Sequence, residues 1–415
     1  MSVGNRMTFR AYLGFGMFGA FWGVWGASVP RLQEQAGVGD GGLGFALLFV
    51  GAGALPAMLL AGRALDRRGP GVAGAALAAL GGAGVLVAFT AVNLASLCVG
   101  LAVVGATSGA ADVAINAVAG RAEKAAGRPV ITRAHGVFSS LVVLASLATG
   151  LVSSLPIAVP FAVVAAVCSG TSVGFKAGAV PGARSRQVGA PPEEDVVRQE
   201  AAVPLGRRRT VPLVLVGVLG AFAFASENAH QSWSAVFLHD EFHAGGLSAV
   251  APAVFAGTVA ITRFAAGGLT AVRGVLLAGA AGAAGGAAVI AAAPTPAVAG
   301  AGLALAAAGT AVLFPTLLRL VARNVDEDRR GRATSVVTTV SYLGFLAGPV
   351  YVGLWADAVG LRGAMVAVAA LAVALLVLTP PLLRLSGFGG AARDGQARAG
   401  VFSSASPGRW SGTKR

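Results

Sequence analysis

The chain has 415 residues, 56% of them hydrophobic and 12% charged, with a mean hydropathy of +0.77. About a quarter of a soluble domain is charged, so this composition excludes an ordinary soluble protein and leaves a polytopic membrane protein. The net charge of +14 would suggest nucleic acid in a soluble chain, but here the basic residues collect in alternate loops, so no nucleic-acid partner is expected.

A membrane-crossing helix needs about 20 apolar residues. Twelve such spans are predicted, at 11–30, 43–62, 71–92, 94–119, 135–154, 156–175, 211–238, 247–270, 274–293, 297–321, 334–355 and 362–383. Arg6 and Arg10 precede the first, which could pass for a signal peptide; eleven further spans favour a transmembrane helix. Connections from odd to even spans carry only Arg31 and Arg362. The N-terminus, the even-to-odd connections and the tail carry 27 of the 31 Lys and Arg, Arg263 lies within a span, and Arg319 falls two residues inside the end of another. By the positive-inside rule both termini are cytoplasmic. The chain therefore divides into a six-helix half (1–175), a central cytoplasmic loop (176–210), a second six-helix half (211–385) and a basic tail (386–415), with loop and tail expected to be partly disordered. Cys98 and Cys168 lie in apolar segments and read as packing residues, so no metal or disulfide framework is expected.

Between spans two and three lies Gly62-Arg63-Ala64-Leu65-Asp66-Arg67-Arg68-Gly69-Pro70, read as a short charged turn. Asp66 adds nothing to positive-inside orientation. It can accept hydrogen bonds from a helix N-terminus or pair with an arginine of another loop, as a latch that breaks on opening. A purely topogenic charge cluster is the alternative.

Span four contains Gly109-Ala110-Ala111-Asp112-Val113-Ala114-Ile115-Asn116. Asp112 and Asn116 are four apart and share a helix face. A carboxylate in a span costs about 2.5–3.5 kcal/mol on insertion scales and persists where it meets water, a partner or a proton path. A structural hydrogen bond between helices is the alternative. Arg133-Ala134-His135-Gly136 opens span five. His135 can titrate near neutral pH, but its place near the cytoplasmic end suits a gating or structural role equally. Span seven contains Glu227-Asn228-Ala229-His230-Gln231-Ser232-Trp233-Ser234. Glu227 and His230 are expected on one side of the helix, and with the Trp233 indole they suit a ligand having hydroxyls and an apolar face. Trp233 also fits the interfacial aromatic belt. Arg263, within the eighth span, either pairs with Asp112 or Glu227 or snorkels to the surface. His230, His239 and His243 cluster near the end of span seven, but with Asp240 and Glu241 among them a solvated loop is expected rather than a metal site. In span eleven, Gly344-Phe345-Leu346-Ala347-Gly348-Pro349 and Gly353 permit a kink and close helix contact. No nucleotide-binding loop and no supported catalytic set is present, so neither a cofactor nor an enzymatic activity is expected.

The twelve-span layout and the charged turn resemble the major facilitator superfamily. Arg263-Phe264-Ala265-Ala266-Gly267 and Arg273-Gly274 occupy the turn's place in the second half, without the aspartate. Trp25-Gly26-Ala27-Ser28-Val29-Pro30, Asp112 with Asn116 and Glu123, Gly127-Arg128-Pro129, His135-Gly136-Val137-Phe138-Ser139 and Ser341-Tyr342-Leu343-Gly344-Phe345 are similar to its MosC-like branch, related to fucose-permease-type carriers. Span five lacks the proline of many drug/proton antiporters.

The resemblance implies an all-α integral membrane fold of two six-helix pseudo-repeats with the substrate site between them. It further implies a monomeric secondary carrier in the cytoplasmic membrane, working by alternating access on a small polar or amphipathic, sugar-like solute, with protons as coupling ion. One charge moved through 100 mV is worth about 2.3 kcal/mol and a tenfold gradient needs about 1.4 kcal/mol, so one proton per cycle suffices. Asp112 and Glu227 are assigned as proton or substrate carboxylates, Asn116, His230 and Trp233 as substrate ligands, and Arg263 as counter-charge. Asp66, Arg67, Arg68, Arg133 and His135 are assigned to gating. A drug or metabolite efflux carrier and a transport-inactive membrane sensor of the same fold stay open.

Overall fold

A computed structural model describes residues 3–176, 207–266 and 271–388, and they form helices with no strand among them. The expected central loop and basic tail fall largely on 177–206 and 389–415, outside the described residues, as does the end of the eighth expected span.

The first half comprises α1 (Val3–Ala36), α2 (Asp40–Arg68), α3 (Gly71–Thr90), α4 (Leu94–Ala126), α5 (Ile131–Leu151) and α6 (Ala158–Lys176). The second comprises α7 (Arg207–Phe242), α8 (Val250–Ala265) behind a short 3₁₀ turn at Gly245–Ala249, α9 (Val272–Ala291), α10 (Pro296–Ala311), α11 (Leu313–Asn324) and α12 (Glu327–Leu385). Nine helices among the described residues are long and apolar enough to cross a membrane, and Ala158–Ser172 is a shorter apolar one. Leu60, Phe89, Leu151, Val163, Val366 and Val377 are exposed on the bundle, where lipid would cover them.

Three boundaries differ from expectation, each for a local reason. The charged turn is mostly helix: α2 runs through Asp66 to Arg68, and only Gly69 (φ 70°) and Pro70 turn the chain. Arg67 and Arg68 in the last turn favour the negative helix end, and glycine is suited to the reversal. Spans eleven and twelve fall on one run, Arg329–Leu385, of 57 residues. At 1.5 Å per residue that is about 85 Å, nearly three times the roughly 30 Å bilayer core. Gly360, with φ 76° and ψ 168°, divides the run. The tenth span is interrupted at Val312, between α10 and α11. Pro315 lies in the first turn of α11 and cannot donate to the carbonyl four residues back, which leaves Ala311 O outside the ladder.

Within the first half α1 packs on α5, α2 on α4 and α3 on α6; in the second α7 packs on α12 and α9 on α10. Small residues permit these approaches. The halves meet through α2 against α12 and α5 against α8. Gly44 is one such point: a Cβ there would come within 2.8 Å of Pro349 O and 3.0 Å of the Gly353 Cα. Toward the end bearing few basic residues, the Gly41 amide donates to Asp357 Oδ1 (2.8 Å) and Ser146 Oγ donates to Ala249 O. The halves are thus closed on each other at that end.

Candidate functional site

Between the halves lies a cavity of about 850 Å³, walled by α1, α2 and α5 on one side and by α7, α8, α11 and α12 on the other. It reaches the first turn of α5 at the basic end, where Thr132 and His135 are exposed. Trp22, Trp25 and Phe138 face it from the first half, and Phe224, Phe255 and Phe314 from the second. Its ionisable lining side chains, among the described residues, are His135, Glu227 and Arg263.

Glu227 and Arg263 form an ion pair, Nη2 to Oε1 at 3.2 Å, with Glu227 16% and Arg263 49% exposed. Of the two partners the sequence allowed, Arg263 meets Glu227. What holds the guanidinium is a consequence of Pro315. The ring has no N–H for Ala311 O, and Arg263 Nε donates to that carbonyl at 3.3 Å. A second proline acts in the same way. Pro349 leaves Phe345 O without its helical donor, and Asn228 Nδ2 donates to it at 2.7 Å. Ser232 Oγ in turn donates to Asn228 Oδ1 at 3.1 Å. Two polar side chains of the cavity wall are thus fixed by carbonyls that prolines set free.

The wall on α7 follows from 100° per residue. Relative to Glu227, Gln231, Phe224, Asn228 and Ser232 fall within an arc of about 140° on one side, and all line the cavity. His230 falls about 60° and Trp233 about 120° to the other side. The expected role of His230 and Trp233 as substrate ligands is corrected accordingly: His230 is 1% and Trp233 0% exposed, and neither lines the cavity. His230 Nδ1 donates to Ser226 O at 2.7 Å, a bond within the helix.

Asp112 and Asn116 also lie off the cavity. Asn116 Nδ2 donates to Asp112 Oδ1 and to Asp112 O, both at 3.0 Å, so the pair bonds within α4 rather than between helices. His135, assigned to gating, lines the cavity, its ring edge-on to Phe15 with centroids 4.8 Å apart. Arg133 is exposed beside it. Arg67 and Arg68 are exposed at the end of α2, and the Asp66 side chain lies outside what is described. Glu123 is a local brace: its Oε2 accepts from the Val130 and Ile131 amides at 2.8 and 3.0 Å, capping α5. Among the described residues no group of three or more His, Cys, Asp or Glu could hold a metal; His239 pairs with Asp240 (3.0 Å) and Glu34 (3.6 Å) instead.

The Major Facilitator Superfamily model matches residues 11–299 and 269–404. The chain belongs to the major facilitator superfamily. It is a multi-pass membrane protein of a transporter family. The membrane protein MosC of Rhizobium meliloti is 26% identical over 384 residues, covering 89% of each chain. The uncharacterized transporter y4wD of Sinorhizobium fredii is 27% identical over 395 residues, covering 89% of this chain and 96% of that one. Among solved structures, the nucleoside transporter NupG superposes with a TM-score of 0.70 at 14% identity, covering 92% of this chain and 99% of that one. A D-xylose-proton symporter gives 0.71 at 14% identity, over 91% and 97%. These likenesses show the superfamily fold.

The cavity residues missed from sequence are Asn228, Gln231, Ser232 and Pro315, together with the carbonyl that Pro349 frees for Asn228. The signal was available: Pro315 and Pro349 each stand inside an apolar span, and a proline there exposes a carbonyl that a neighbouring helix must satisfy.

Proposed function

We propose that this superfamily member is a secondary carrier that moves a small polar or amphipathic organic solute by alternating access, coupled to protons, across the cytoplasmic membrane. The observation that carries the reading is the Glu227–Arg263 pair in an 850 Å³ cavity between two halves that close on each other at the end bearing few basic residues. With the basic loops in the cytoplasm, the closed end is the outer one and the cavity is open inward. Rocking the halves about the cavity would part Gly41 from Asp357 and expose the same wall to the other side. Aromatic rings would cover the solute's apolar face, and Asn228, Gln231 and Ser232 would meet its hydroxyls. Glu227 is the carboxylate that can take up a proton when its hold on Arg263 changes.

The test is solute-evoked proton movement in proteoliposomes containing a pH dye, screened over sugars, cyclitols, amino-acid conjugates, organic acids and cationic drugs. The reading expects at least one solute to move protons with wild-type protein and not with Glu227→Gln. Solute flux without proton movement would remove the coupling. No flux of any solute by folded protein would favour a sensor over a carrier.

A further inference from the structure

A guanidinium carries five N–H donors in a rigid fork. Among the described residues Arg263 donates one to Ala311 O and one to Glu227 Oε1. The Glu227 bond is single and, at 3.2 Å, longer than the roughly 2.7–2.9 Å of a well-made charge-assisted bond. Half of the side chain is exposed, and it lines the cavity. The remaining donors are thus open to whatever fills a cavity whose wall is made largely of aromatic and aliphatic groups. A planar, two-oxygen anion matches that fork.

We infer that the solute carries a carboxylate, which docks on the open edge of Arg263 while its apolar or hydroxylated body lies against the cavity's rings and amides. This rests on the carrier reading and names the solute class for the same site. Glu227 and the solute then compete for one cation. Binding of the anion is favoured when Glu227 is neutral, so a proton enters the site with the solute and the pair carries no added net charge. The other ionisable group on the cavity wall is His135 on α5; the wall residues of α1, α2, α11 and α12 carry none.

The experiment is an equilibrium titration of the full-length protein in detergent, read by the fluorescence of Trp22 and Trp25 in the cavity. The probes are cyclohexanecarboxylate, which does not absorb with tryptophan, and its uncharged amide. In Glu227→Gln, where the competing carboxylate is gone, the acid should bind saturably and about tenfold tighter than the amide. In wild type its affinity should rise as pH falls from alkaline to neutral, and Glu227→Gln should flatten that rise. Arg263→Gln should abolish the preference for acid over amide, and Arg263→Lys should keep part of it. Equal binding of acid and amide to Glu227→Gln, no saturable binding of the acid to that variant, or an acid preference that survives Arg263→Gln would each overturn the inference. Because no gradient or transport is involved, failure here leaves the carrier reading to its own proton-flux test.

Discussion

Two arginines outside the basic loops are held in opposite ways. Arg362, near the closed end, has three of its five donors engaged among the described residues: Nε on Glu241 Oε2 at 2.7 Å, and Nη1 on Ala291 O at 3.1 Å and Ala293 O at 2.8 Å. Its guanidinium carbon also lies 5.5 Å from the Phe242 ring and 6.0 Å from that of Phe237. Arg263, in the cavity, makes one long bond to Glu227 and one to a carbonyl that a proline has freed. The first arginine ties α12 to α7 and α9; the second is anchored at its root and open at its tip. The arginine with three bonds across helices serves as a fastener, and the one with two, beside the cavity, keeps more of its donors open.

Several substitutions can break or sharpen this contrast. The largest effect is expected from Arg263→Gln, which should reduce solute transport in proteoliposomes by about a hundredfold while melting close to wild type. Next comes Arg362→Gln, which should lower unfolding stability by about 1–3 kcal/mol by leaving Glu241 and two carbonyls without their donor, with transport per folded molecule largely kept; thermal melts followed by transport assays of the surviving protein separate the two quantities. Pro315→Ala gives Ala311 O its backbone donor again and should loosen Arg263. Its expected cost is about tenfold in solute affinity, with stability unchanged or improved; a loss of stability and no change in affinity would mean that the proline positions nothing. The smallest effect is expected from Asp112→Asn, which keeps the bond to Asn116 within one helix and lies off the cavity. Transport should stay within about twofold of wild type, and an uptake assay showing a large loss would return Asp112 to the transport path.

The fold was more legible than the site. Twelve apolar stretches and the alternation of basic loops mark where helices lie, because hydrocarbon forces backbone groups to bond within each span. The points missed are those where one residue acts on the backbone: Gly360 splitting a run of helix, Gly69 shortening a charged loop to a tight turn, Pro315 interrupting a span. Within the site, single-helix spacing placed Glu227 on the face that lines the cavity but misjudged His230, since a three-residue step falls short of a full turn by about 60°, away from that face. The partner of Arg263 could be narrowed to two carboxylates and no further, because the choice depends on which helices of one half adjoin. The freed carbonyls of Ala311 and Phe345 were readable as unsatisfied acceptors, yet nothing in one sequence says which side chain on another helix will reach them.

The most direct test compares the two arginines in one experiment: melting temperature and transport of a proton-moving solute, measured side by side for Arg263→Gln and Arg362→Gln. The account predicts a crossed result, with the cavity variant stable and inactive and the closed-end variant less stable and active. Parallel losses of stability and transport in both would contradict it.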